Sequence, residues 1–378
     1  MSLHTVFFVS QATFELGPQG RILRLAKGWQ ARGHATAIAA LQGDRELGVR
    51  ERELGVPIHA LTTHDKRILR AGRLDAMLAI RRFVADEKPK LVFALETLVD
   101  WHVKLALWRS REPIVTLLGI DRWKWERKLY RRVGFRSLAP RTNALIGNSQ
   151  RCLDGYARAL GAKTVERVPQ AVVPNPVDPD EWPPRFERDD PELVIGAIGR
   201  LAEQKGFDLL LRAVATLPSA IGGKRVRIRI QGSGPDEAAL RELAAPVERA
   251  GIPVEFLGHA SDVHGFYRSL ACLVVPSRWS GFENTALEGC LTGTPTIVSR
   301  ATGFEDLRDP SAFTFTELEP QALRKTILEV LSRSDAEREA LARRQRDAVI
   351  AELALDTICD RLERTLVELG VDAARAVD

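Results

Sequence analysis

The feature that most constrains this chain is a long alternation of short apolar runs with amphipathic helical stretches, interrupted by one segment rich in proline and acid. "TVFFVS" leads into the turn "ELGPQG", then into the helical pattern "RILRLAKGWQARGH" with Ile22, Leu25, Ala26 and Trp29 at core spacing, then into a second apolar run, "ATAIAAL". Strand, turn, helix and strand in that order form a βαβ unit, which belongs to a parallel sheet covered by helices. The alternation continues through a helix ending near Pro89, the strand "KLVFAL", the helix "DWHVKLALWRSR", the strand "PIVTLLG", a basic helix at 124–137 and the strand "ALIGNS". A second series opens at "LVIGAIG" and sets the strands "RVRIRIQG", "VEFLG", "CLVVPS" and "TPTIVS" between helices at "GFDLLLRAVATL", "DEAALRELAAPVERAG", "VHGFYRSL" and through Glu288. Between the two series, "AVVPNPVDPDEWPPRFERDDPE" has the composition of a connection.

The expected fold is therefore α/β, with two doubly wound domains facing across a cleft: residues 1–175, a linker at 176–190, residues 191–350, and a C-terminal helix in 351–378 packing back on the first domain. A chain of 378 residues, 45% hydrophobic, is long enough for two cores. Ligands of such sheets bind beyond the carboxyl ends of the strands, so the site is expected in the cleft.

Composition narrows the functional classes. Cys152, Cys272, Cys290 and Cys359 lie far apart with no C-x-x-C spacing, which reads as reduced thiols of a cytoplasmic protein without a disulfide framework or metal site. The opening "MSLHTVFFVSQATF" lacks a basic stretch of the secretory kind, and no apolar run reaches the about 18 residues a membrane span needs. The net charge of +5 favours anionic partners in general. Much of the local excess lies in "DRWKWERKLYRRVGFRSLAPR" at 121–141, where Trp125, Leu129 and Val133 recur every fourth position and Arg127, Lys128, Arg131 and Arg132 supply charge. That pattern suits contact with an anionic membrane or a phosphate-linked lipid acceptor, and an ordinary packed helix with a solvated face explains it equally. Arg67, Arg70, Arg73, Arg81 and Arg82 add positive charge to the same half. Without a nucleic-acid-binding motif, no nucleic-acid partner is expected.

Three strand-to-helix turns carry the chemistry. In "GAIGRLAEQKGFDLLLRA", Gly199 and Arg200 follow a strand while Lys205 and Gly206 precede a helix, an arrangement able to clamp a diphosphate or to be a plain solvated loop. "QGSGPDEAAL" repeats it at Gly232 to Pro235, where proline followed by acids also makes a good ordinary helix start. In "PSRWSGFENTALEGCLTGTPTIVS", a turn through Ser280, Gly281 and Phe282 exposes backbone amides, and Glu288 rides one turn deeper, placed to accept hydrogen bonds from a diol or to face solvent.

Read together, "RGH" at 32–34, "VVPNPVD" at 172–178, "GRLAEQKGFDLLLRA" at 199–213, "QGSGPDEAAL" at 231–240, "VEFLGHASDVHGFY" at 254–267 and the stretch from 276 resemble the family 4 retaining glycosyltransferases of the GT-B fold, across nearly the whole chain. The resemblance implies two Rossmann-like domains, the second holding a nucleotide-diphosphate sugar as donor and the first receiving a glycan or lipid-linked acceptor. It implies no cofactor and no metal. On these positions Arg200 and Lys205 would neutralise the leaving diphosphate, the amides of Phe282, Glu283, Asn284 and Thr285 would meet phosphate or donor sugar, and Glu288 would hold the ribose. Gly258, His259 and Ala260 would lie beside the base, with Gly199 and the first-domain Gly17 near the phosphates. Fixed positive groups facing a developing diphosphate would supply electrostatic catalysis. Reaction on one face of the sugar, with the leaving phosphate taking the acceptor's proton, calls for no dedicated nucleophile.

Two departures stand out. The family pattern pairs two glutamates separated by seven residues, and here the first is Ser280 and the second Glu288; Glu283 replaces the missing acid only if the turn directs it inward. The family also often places a histidine where this chain has Leu118. His34 is read as packing near a helix end, His102 as a helix-surface residue or an acceptor-side base. The leading expectation is an enzyme transferring a hexose in surface polysaccharide, lipopolysaccharide or glycolipid synthesis, cytoplasmic and peripheral at the inner face of the membrane. Its rival is a noncatalytic nucleotide-sugar or glycan-binding protein on the same fold. A phosphorylase lacks its cofactor lysine pattern here, and a dehydrogenase its glycine fingerprint.

Overall fold

The computed structural model describes residues 3–11, 18–42, 55–62, 74–95, 98–119, 136–187, 191–259 and 262–371, which fall into two compact units, 1–176 with 355–378, and 177–354. The basic stretch at 120–135 and the arginines at 67, 70 and 73 lie outside the described residues.

The first unit holds strands β1 (His4–Gln11), β2 (Ala35–Gln42), β3 (Ile58–Ala60), β4 (Leu91–Leu95), β5 (Ile114–Leu118), β6 (Ala144–Gly147) and β7 (Gln170–Val172). They pair in parallel in the order β3-β2-β1-β4-β5-β6-β7. Helices α1 (Pro18–Ala31), α2 (Leu74–Glu87), α3 (Leu98–Ala106), α4 (Gln150–Leu160) and the short α5 (Ala162–Val165) supply the crossovers. Helices on both faces explain why β4 is an unbroken apolar run and β5 is apolar but for Thr116, both buried at every position. Trp29, from the apolar face of α1, sits edge-on to Phe93, which stacks on Phe7 of the neighbouring strand. Short β3 and β7 and helix α4 add to the elements expected from periodicity; three-residue strands are too short to show a period.

The second unit holds β8 (Glu192–Ile198), β9 (Ala220–Ile221), β10 (Lys224–Gln231), β11 (Val254–Gly258), β12 (Cys272–Val275), β13 (Thr296–Ser299) and β14 (Thr314–Thr316). The sheet order is β11-β10-β8-β12-β13-β14, all parallel, with β9 antiparallel against β10. Its helices are α6 (Phe207–Val214), α7 (Glu237–Arg249), α8 (Val263–Arg268), α9 (Asn284–Leu291), α10 (Pro320–Leu331) and α11 (Asp335–Leu353). One apolar core joins β8, β10 and β12 to the inner faces of α6, α7 and α10. The segment after Pro176 packs within this unit: Trp182, 7% exposed, stacks on His264 with ring centroids 4.5 Å apart.

The C-terminal helical pattern is broken at Ala354, whose ψ of 143° ends α11 and starts α12 (Leu355–Glu368), a member of the first unit. There Arg32 donates to Asp360 at 2.7 Å and to the carbonyl of Asp356 at 2.8 Å, and His34 pairs with Glu363 at 3.3 Å. Gly28 of α1 leaves the room in which Cys359 and Leu355 sit. All four cysteines are buried free thiols. No helix among the described residues is long and apolar enough to cross a membrane.

Candidate active site

In the second sheet β10 flanks β8 on one side and β12 on the other, so the chain leaves β8 in opposite directions and the carboxyl ends of β8 and β12 form the topological switch point. The loops that emerge there, 199–206 and 276–283, contain most of the motif residues. They are stitched together. The Arg278 amide donates to the Gln204 carbonyl at 2.7 Å, Gln204 Nε2 donates to the Trp279 carbonyl at 2.9 Å, and the Arg278 guanidinium grips both oxygens of Asp208 at 2.6 and 2.7 Å. Burial pushes the Asp208 carboxyl up, and the guanidinium more than reverses this, leaving it below the ordinary range. Gly206 completes the fit: its φ is 66°, and a Cβ there would overlap the carbonyl oxygen of Pro276.

This stitching aims Lys205. Its side chain passes over Gly199, and its ammonium reaches the two oxygens of Glu283 at 3.0 and 2.8 Å. Glu283 is 3% exposed, so the turn does direct it inward. It also accepts from Ser277 Oγ at 2.6 Å and from Thr285 Oγ1 at 3.4 Å. Burial pushes its carboxyl up, but the Lys205 charge and these hydrogen bonds outweigh it and hold the acid below the usual carboxylate range. Glu283 is also the N-cap of α9, and its amide donates to the Thr302 carbonyl at 3.1 Å. Of the four amides at 282–285, that one is therefore committed within the protein. Phe282 is buried and stacks on Phe304 at 5.2 Å, and Gly281 and Ser280 are buried beside it.

Glu288 lies on the next turn of α9, 9% exposed, and Oε2 accepts from the Tyr267 hydroxyl at 2.6 Å. Tyr267 is fully buried on α8, with Trp182 edge-on to it at 5.9 Å. Burial first, and the Glu288 charge second, push its phenol well above the usual value, so it remains a donor. Tyr267→Phe is expected to cost the second unit about 1.5–3 kcal/mol, the range for hydrogen bonds to charged groups, read from the urea midpoint; an unchanged midpoint would show that Glu288 does not depend on this donor.

Arg200 is exposed, and its guanidinium has no hydrogen-bond or ion-pair partner among the described residues. At the ends of β10 and β11, Gly232 lies so close to the carbonyl of Gly199 that a Cβ would overlap it, and Ser233 Oγ meets His259 Nε2 at 2.8 Å. Gly258, at φ 64°, turns the chain into this corner. Gly17 and Ala260 lie outside the described residues. The structure thus joins Lys205, Ser280, Glu283 and Thr285 in one cluster, pairs Glu288 with Tyr267, and places His259 with Ser233. Ser277, Tyr267 and the Asp208–Arg278 pair were not among the residues expected from sequence. Ser277 ends the apolar run of β12 and was within reach of motif reading; Asp208 and Arg278, 70 residues apart, left no local signal.

In the first unit, Arg21 donates to the carbonyls of Leu118 at 3.1 Å and Val173 at 3.0 Å, tying the ends of β5 and β7 together. His102 is fully buried, correcting its reading as a helix-surface residue: Val103 beside it and Val99 one turn earlier belong to the core of this unit. The switch point of this sheet lies between β1 and β4, whose following loops, 12–17 and 96–97, lie outside the described residues.

Comparison with known proteins agrees with this architecture. Over 151 residues the chain is 28% identical to the lipopolysaccharide core biosynthesis mannosyltransferase LpsB of Rhizobium meliloti, covering 37% of this chain and 43% of that one. Over 204 residues it is 28% identical to a GDP-mannose-dependent alpha-(1-6)-phosphatidylinositol dimannoside mannosyltransferase of Mycobacterium tuberculosis, covering 51% of this chain and 52% of that one. The matches thus span about half the length of these relatives or less. The crystal structure of Anabaena HepE in complex with UDP and glucose superposes with a TM-score of 0.75 at 18% identity, covering 97% of this chain and 100% of that one. Sucrose-phosphate synthase of Thermosynechococcus elongatus superposes with a TM-score of 0.74 at 16% identity, covering 97% and 99%. The family profiles follow one another along the sequence as the two sheets do: "Glycosyl transferase 4-like domain" matches residues 17–176 and "Glycosyl transferases group 1" matches residues 192–333. With one profile on each α/β unit and the GT-B fold over nearly its whole length, the chain belongs to the family 4 type of the group 1 glycosyltransferases.

Proposed function

We propose that the protein is a retaining glycosyltransferase that moves a hexose from a nucleotide-diphosphate sugar to a glycan or lipid-linked acceptor in surface polysaccharide or glycolipid synthesis. The observation that carries this reading is the concentration of Arg200, Lys205 and the start of α9 at the switch point, with Glu288 one turn deeper. In this reading the bond between the anomeric carbon and the β-phosphate oxygen breaks, and Arg200 and Lys205 stabilise the charge gathering on the diphosphate. The acceptor oxygen bonds to the same carbon on the same face, and its proton passes to the leaving phosphate. Glu288 accepts hydrogen bonds from the ribose hydroxyls, oriented by Tyr267. The relatives named for lipopolysaccharide core biosynthesis and phosphatidylinositol dimannoside support a glycan or glycolipid as acceptor.

The test is a binding screen of nucleotide-diphosphate sugars followed by turnover with the best donor. Lys205→Ala is expected to lower kcat by about 100-fold, as loss of one preorganised charge contact at a transition state does. Glu288→Gln is expected to raise the donor KM by about tenfold with a smaller change in kcat. Wild-type constants in both variants would refute the site. A noncatalytic sugar-nucleotide binder is the second reading, favoured by Ser280 in place of an acid and by Leu118. Donor binding without transfer or hydrolysis over a broad acceptor panel would establish it instead.

A further inference from the structure

The Lys205–Glu283 ion pair spans the switch point, and the proposed chemistry leaves its acidic half unused. An ionised carboxylate offers about four lone-pair sites. Here they face the Lys205 ammonium on both oxygens and the hydroxyls of Ser277 and Thr285 on one oxygen each. Little capacity is left for a sugar hydroxyl. What Glu283 retains is its charge, nearly buried and 2.8 Å from the ammonium that would meet the leaving phosphate. Arg200 has no such partner among the described residues, so the two cations are not equivalent: one is exposed and uncompensated, the other is neutralised within the protein. The acid is also held by three elements at once, through the α9 cap, the β12 end and the loop before α6, so it does not swing away easily.

We propose that Glu283 is a built-in counter-ion that holds Lys205 in reserve and shares it with the β-phosphate of a bound nucleoside diphosphate, thereby setting how tightly the site keeps that diphosphate. The diphosphate gains Lys205 only by drawing it partly off a carboxylate of its own sign. Binding is then weaker than two free cations would make it, and the product diphosphate leaves sooner.

This inference deepens the donor-site reading and rests on it, and the experiment separates the two. Binding of UDP, GDP and ADP to the full chain is measured by calorimetry for the wild type, Glu283→Gln, Lys205→Ala and the double variant, with the monophosphate of the best-bound base as control. Glu283→Gln is expected to tighten the diphosphate about five- to tenfold while leaving the monophosphate within about twofold. Lys205→Ala strands a buried carboxylate beside the phosphate, and adding Glu283→Gln is expected to recover at least about fivefold of the lost affinity. Weakened diphosphate and monophosphate binding in Glu283→Gln, with no recovery in the double variant, overturns the counter-ion and makes Glu283 a structural or ligand-contacting residue. A wild type that binds none of the three diphosphates overturns the donor site and this inference together. A ligand-free measurement guards against variants that fold poorly: carbon-detected NMR of the Glu283 carboxyl in the wild type and in Lys205→Ala should show its titration moving upward when the ammonium is removed. An unmoved titration overturns the pairing.

Discussion

Asp100→Ala is expected to destabilise the first unit by about 3–5 kcal/mol, the penalty for stranding one member of a buried ion pair. Asp100 and Lys104 stand one turn apart on α3, with side chains 0% and 2% exposed and a contact of 2.7 Å. The other Asp100 oxygen accepts from Thr116 of β5, also at 2.7 Å, so the carboxylate clamps the helix to the sheet. Burial pushes the Lys104 ammonium below the ordinary lysine value, and the Asp100 charge only partly opposes this. Removing Asp100 takes away that opposition. Because the folded value then lies still further below the unfolded one of about 10.4, the charged lysine costs stability at all pH values below its folded value, and the cost is relieved as pH rises through that value. The deficit of Asp100→Ala, read from urea midpoints, should therefore shrink toward alkaline pH. The double change Asp100→Ala with Lys104→Met should recover most of it at neutral pH, since no charge is left buried. A midpoint unchanged in Asp100→Ala would contradict the buried pairing.

Gly206→Ala is expected to cost about 2–4 kcal/mol, combining about 1 kcal/mol for a side chain in the left-handed region with about 1–3 kcal/mol for forcing the Pro276 carbonyl aside. The loss should reach beyond stability. Gly206 sits where loop 199–206 meets loop 276–283, and that contact aims Lys205 at Glu283. Nucleoside diphosphate affinity should fall with the folding midpoint in this variant. Gly258 provides the control, because its φ of 64° is similar but a Cβ there has nothing within 4 Å. Gly258→Ala should cost only the conformational part, about 1 kcal/mol. Equal losses in the two variants would show that the Pro276 contact carries no energy.

Much of the molecule is legible in one dimension because the information is local. The largely apolar runs at 91–95, 114–118 and 193–198 announce strands buried on both faces, and the turns after them announce where a ligand-binding end must lie. Gly199, Lys205, Gly206 and Glu288 could be singled out because each occupies a strand end or a helix start. The break at Ala354 was less legible, since helical periodicity runs straight through it and only packing decides that α11 and α12 belong to different units.

The role of the turn at 280–288 shows where local information ends. From sequence, Ser280 looked like a missing acid and Glu283 like a conditional substitute. Lys205 lies 78 residues from Glu283 and Tyr267 lies 21 from Glu288, and nothing in either stretch specifies its partner. By itself the sequence determined the two α/β series, the order of their strands along the chain and the residue types at each strand end, because side-chain periodicity and turn chemistry are properties of neighbours. Only the tertiary structure decided that β8 lies beside β12, and with it which ammonium meets which carboxylate, because a charge is paired or stranded by distance through space and not by distance along the chain.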